Sequence, residues 1–88
     1  MKWDEMLFMQ MIAYRTSPDP VRRRGDPSVR EIIESDDCPI TVPKRAHRIL
    51  EKWSKRDWYD YGVSLDLGWL TSLGRKQVKL MENTLKRD

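Results

Sequence analysis

The sequence predicts a mainly α-helical fold with one small β-hairpin, and three observations lead there. Val42, Ala46, Ile49, Leu50 and Trp53 recur at offsets that keep them within roughly a third of a helix circumference. Trp58, Tyr59, Tyr61 and Val63 favour an extended strand, Leu65-Asp66-Leu67-Gly68 can turn it, and Trp69-Leu70 can pair back against it. Ser28 and Thr71 stand as caps ahead of two further helical runs. With 88 residues the chain is sized for one small domain, so large side chains must carry its core.

The first helix spans about residues 4–15, with Asp4 as cap and Trp3, Met6, Leu7, Phe8, Met11, Ile12 and Tyr14 spaced by threes and fours. Met9 widens this apolar arc beyond what one small core needs. The helix is therefore either fully buried at the centre or part of a dimer contact. Residues 16–27 hold three Pro and a Gly and read as a loop. A second helix, about 28–35, starts at Ser28 with Glu31 completing a capping box, and turns Val29, Ile32 and Ile33 inward. Asp36, Asp37 and Pro39 end it, and Ile40 anchors the turn.

The third helix, about 42–56, has Thr41 as cap and a tolerated Pro43 in its first turn. At about 100° per residue its outer face carries Lys44, Arg48, Glu51 and Lys55, flanked by Arg45, His47 and Lys52. The hairpin covers about 58–70. A fourth helix runs over about 72–86, with Leu73, Gln77, Leu80, Met81 and Leu85 set for one face.

Composition narrows the function classes. Seventeen Lys and Arg against 14 Asp and Glu give a net charge of +3, too mild to indicate nucleic acid by itself, so placement must decide. One Cys and one His give no disulfide and no zinc-ligand spacing, and no Gly-rich phosphate loop or catalytic triad can be assembled. No enzyme activity, cofactor, metal or small-molecule ligand is expected. Cys38, beside Pro39, reads as a structural residue. The apolar stretch after Met1 is short and amphipathic, unlike a signal peptide or a membrane span, and a cytoplasmic setting is the expectation. The aromatic residues Trp53, Trp58, Tyr59, Tyr61 and Trp69 read as core rather than as a base-stacking platform. Arg75, Lys76 and Lys79 stand near the positive end of the fourth helix, an arrangement that an anionic partner would relieve.

Helix, helix, turn, basic helix, hairpin and helix, in this order, resemble the winged helix-turn-helix family over about residues 28–75, and the likeness rests on two patterns. Val42-x-x-x-Ala46-x-x-Ile49-Leu50-x-x-Trp53-x-x-x-Asp57-Trp58 is similar to that family's second helix-turn-helix helix and its tight exit into a strand. Trp69-Leu70-Thr71-x-x-Gly74-Arg75 is similar to its strand-to-helix passage after the wing. Asp57 stands where the family often has Gly, and the wing brings few cations of its own.

The resemblance implies a three-helix core with a short wing and a C-terminal helix, and a third helix that enters the major groove of double-stranded DNA. Lys44, Arg45, His47 and Arg48 are then candidates for base contacts, and Lys52 and Lys55 for phosphate contacts. Arg22, Arg23 and Arg24, in the loop, read either as an arm that could reach a phosphate backbone or a narrow minor groove, or as a solvated loop run. The expected function is sequence-specific DNA binding by a small transcriptional regulator, phage-like in its compactness, dimeric through the first or the last helix. The alternative is a winged-helix inhibitor or adaptor that binds a protein and not DNA.

Overall fold

The computed structural model describes residues 2–16 and 27–86, excepting the side chains of 85 and 86. Four helices, α1 (Trp3–Arg15), α2 (Val29–Glu34), α3 (Pro43–Lys55) and α4 (Ser72–Lys86), surround a two-strand antiparallel sheet of β1 (Tyr59–Asp60) and β2 (Trp69–Leu70). The register pairs Tyr59 with Leu70 and Asp60 with Trp69, and a single 3-10 turn, Leu65–Leu67, lies between the strands. A mainly helical fold with a small hairpin is thus what forms.

The core is the junction of α1, α2, α3 and the sheet. Phe8, Met9, Ile12, Val29, Ile32, Ile40, Leu50 and Trp53 are buried there, with the Phe8 and Trp53 rings 5.6 Å apart. Tyr59 joins them, and burial pushes its phenol above the ordinary range. Its hydroxyl donates to Leu65 O at 2.5 Å and accepts from Gly68 N at 3.0 Å, which latches the hairpin closed. A Cβ on Gly68 would meet Asp60 O at 2.2 Å, so the hairpin closes this tightly only with glycine there. Cys38 is buried and its thiol is pushed up by desolvation, as suits a small core residue.

Helix ends account for several departures from the sequence expectations. Ser28 caps α2 by accepting from Glu31 N at 3.2 Å. Asp4, by contrast, lies inside α1, whose N-cap position is Lys2 and carries no side-chain cap; the Asp4 carboxylate accepts from Glu5 N and is drawn to Arg45. The cap of α3 is Val42 rather than Thr41, and as a cap Val42 points away from the core and is 52% exposed. Ile33 is only partly buried. Val63, expected in the strand, lies beyond it and is fully exposed.

The exit from α3 is a Schellman motif. Trp58 N donates to Trp53 O at 2.9 Å and Asp57 N to Ser54 O at 3.1 Å, with Asp57 at φ 61°. Asp57 therefore occupies a left-handed position that glycine fills at lower cost. Thr71 caps α4, accepting from Gly74 N at 3.1 Å while donating to Asp57 O at 2.5 Å, which ties the α3 exit to the α4 start. The inward face of α4 is only partly the expected one: Met81 packs against the core and Gln77 is half-buried, but Leu73 and Leu80 are each about half exposed, while Gly74 and Val78 are buried. A Cβ at Gly74 would meet Trp58 O at 2.1 Å, and that close approach rotates the helix away from its leucines.

Candidate nucleic-acid interface

The candidate surface is the outward side of α3. Its inward side is settled by Ala46, Ile49, Leu50 and Trp53, all buried, and by Pro43, which starts the helix where no intrahelical donor is needed. Helix geometry then fixes where each cation points.

The six helix residues expected to meet DNA divide into two sets. Arg45 reaches back to Asp4 at 2.5 Å, and the hydrogen bond from its guanidinium holds the Asp4 carboxyl below its ordinary value. Lys52 reaches Glu5 at 2.7 Å; the Glu5 side chain is only 8% exposed, so Lys52 supplies the charge that a carboxylate removed from water requires. On the other flank, His47 Nε2 lies 3.6 Å from Asp66 Oδ2. Asp66 also accepts two hydrogen bonds from Arg30 of α2, at 2.9 and 3.0 Å, and that guanidinium chiefly holds its carboxyl low. Three of the six thus serve the chain's own carboxylates, binding α3 to α1 on one side and to the hairpin on the other.

Lys44, Arg48 and Lys55 form the second set. All three are exposed and make no ion pair among the described residues. They share one line along α3, spanning about 16 Å of rise, with exposed Glu51 between Arg48 and Lys55. Arg56, which sequence reasoning passed over, follows at the C-cap, about 100° round the axis from Lys55 and so off this line, where its guanidinium stands 5.0 Å from the Trp58 ring centroid. The signal available was its position immediately after Lys55. Arg22, Arg23 and Arg24 lie outside the described residues.

The hairpin offers nothing cationic. Residues 57–70 contain Asp57, Asp60 and Asp66 and no Lys or Arg, and Asp66 anchors the turn to α2 and α3 instead of projecting. Nor do its aromatics form a platform: Trp53 and Tyr59 are buried, Trp58 and Trp69 half-buried, and only Tyr61 is exposed. Arg75 is not a loose charge at the α4 start. It crosses to α1 and donates to Ala13 O at 2.9 Å and Thr16 O at 3.4 Å, so it meets the negative end of another helix dipole.

Among the described residues no His, Cys, Asp and Glu cluster could hold a metal, and no helix is long and apolar enough to cross a membrane. Comparison with protein-family profiles, curated proteins and solved structures finds no match for this chain.

Proposed function

We propose that this chain binds double-stranded DNA as a winged helix-turn-helix protein, laying the outward line of α3 into the major groove. The observation that carries the reading is the alignment of Lys44, Arg48 and Lys55 on one solvent-facing side of a helix whose other sides are committed. Arg48, at the centre, suits bidentate pairing with guanine, and Glu51 beside it suits acceptance from a cytosine amine. Lys44 and Lys55, toward the ends, suit phosphates. Arg45, His47 and Lys52 drop from the contact set because binding would have to compete with Asp4, Asp66 and Glu5. With three aspartates and no cation, the hairpin stands clear of phosphate. Occupancy of a promoter-proximal site makes this a small transcriptional regulator that acts by blocking or recruiting polymerase.

The test is fluorescence anisotropy with duplex from the DNA flanking the chain's own gene, at several salt concentrations. Two phosphate-facing cations predict a slope of log affinity against log salt near −2, since each neutralised phosphate contributes about −0.9. Replacing Arg48 with Ala is expected to weaken a specific site by about 1 to 3 kcal/mol, and replacing both Lys44 and Lys55 to flatten the salt slope by about two. Equal binding by wild type and the Lys44→Ala/Arg48→Ala variant would sink the α3 assignment. A second reading, a protein-binding module, is favoured by the exposed Tyr61, Val63 and Leu67 on the acidic hairpin. Absence of any salt-dependent shift with DNA supports it.

A further inference from the structure

Helix α1 has a second apolar side. Glu5, Phe8, Met9 and Ile12 face the core, and nearly opposite them Trp3, Leu7 and Tyr14 follow one another along the solvent side, 59%, 37% and 70% exposed. Beside this line is an open groove of about 520 Å³ floored by Leu7, Met11, Tyr14 and Pro39. Its rim carries Asp37, Glu82 and Arg15, one negative charge in excess. Arg15 is held at the rim by Asp37, at 2.6 and 3.3 Å, and Tyr14 donates a hydrogen bond to Glu82.

Trp3 lies on the same side of α1 as the groove, one turn beyond its Leu7 end, with exposed Lys2 next to it. A bulky apolar knob next to a cation and an apolar hole rimmed by excess negative charge therefore sit on one helix, about 12 Å apart from Trp3 to Met11. That is the arrangement a two-fold axis requires: turned end for end, each copy's knob meets the other's hole.

We propose that the occupant of this groove is a second copy of the chain, paired through antiparallel α1 helices, with Trp3 of each inserted over Leu7 and Met11 of the other and Lys2 drawn to the Asp37–Glu82 rim. Two buried indoles at the centre and a polar rim match how binding energy concentrates at interfaces. The contact is small, built on one helix per copy, so the affinity belongs in the micromolar range. The dimer does not depend on the DNA reading, because the outward line of α3 is a different surface. A monomer that binds DNA, or a dimer that ignores it, separates the two.

Light scattering after gel filtration of the whole chain, up to roughly 500 µM, tests the dimer. The expected mass is twice 10.6 kDa at high concentration. Trp3→Ala is expected to weaken self-association by at least about 30-fold, as loss of a central tryptophan does. Leu7→Glu should do the same from the groove side. Unchanged far-UV circular dichroism in both variants separates lost pairing from lost folding. Mixed together, the two variants should form a heterodimer visible by native mass spectrometry, since Trp3 of the Leu7→Glu chain still fits the groove of the Trp3→Ala chain. A wild type that stays at 10.6 kDa throughout, whatever fills the groove, overturns the proposal. So does a Trp3→Ala variant that dimerises as tightly as wild type.

Discussion

Helices α1 and α3 are the same length, 13 residues each, and they distribute their chemistry in opposite ways. In α3 every buried position is apolar and every fully exposed position after Pro43 is charged, so one side is spent on the core and the other is free for a polar partner. In α1 apolar residues occupy both sides, and a buried acid, Glu5, sits among the core positions. A helix that segregates its residues needs only one interface. A helix that does not has more apolar surface than its own domain covers, and its buried charge must be answered from outside, here by Lys52 of α3.

Truncating one tryptophan on each helix gives the largest contrast. Trp53→Ala is expected to cost about 4 kcal/mol in urea denaturation, because Trp53 is wholly buried against Phe8. Trp3→Ala is expected to stay within about 0.5 kcal/mol when measured on dilute protein. Comparable losses would erase the distinction between the helices. The next effect is Lys52→Ala, expected to destabilise by about 2 kcal/mol because it leaves Glu5 buried without a partner, with Lys52 itself part-exposed and so below the cost of breaking a fully buried pair. Combining Glu5→Gln with Lys52→Met should recover most of that loss; if it does not, the pair is not what Lys52 is for.

Smaller still is Asp57→Gly at the end of α3, expected to stabilise by about 0.5 to 1 kcal/mol by relieving the positive φ. Thermal melting checks it, and a destabilised variant would mean that the Asp57 side chain contributes something its backbone does not reveal. The smallest effect is electrostatic, on the α1 side. Arg15 and the Ser35 hydroxyl lower the Asp37 carboxyl from 3.8 to about 2. Because the folded value is the lower one, the pair's contribution is complete above about pH 4 and disappears as the pH falls through about 2. Melting temperature followed through that window should fall less in Asp37→Asn than in wild type, and high salt should shrink the difference because the pair is exposed.

What could be read from the residues alone follows the same contrast. The burial of Ala46, Ile49, Leu50 and Trp53 was legible because local periodicity and tertiary packing agree in α3. The face of α4 was legible only in part: Met81 packs inward, but Leu73 and Leu80 share the apolar period while a backbone contact at Gly74, set by Trp58 of the hairpin, decides the rotation. The cations of α3 were legible as a face but not as individuals. Whether Arg45 and Lys52 are offered outward depends on Asp4 and Glu5, which lie more than forty residues earlier and meet them only in three dimensions. Asp57 shows the reverse case, where departure from the usual glycine left the turn itself unchanged.

The guanidinium of Arg75 closes on the carbonyls of Ala13 and Thr16, some sixty residues upstream. During synthesis, then, α1 waits for some sixty further residues before its open end is sealed. Its apolar flank stays uncovered for most of that interval, which makes the newborn chain more prone to stick to its neighbours than the finished one.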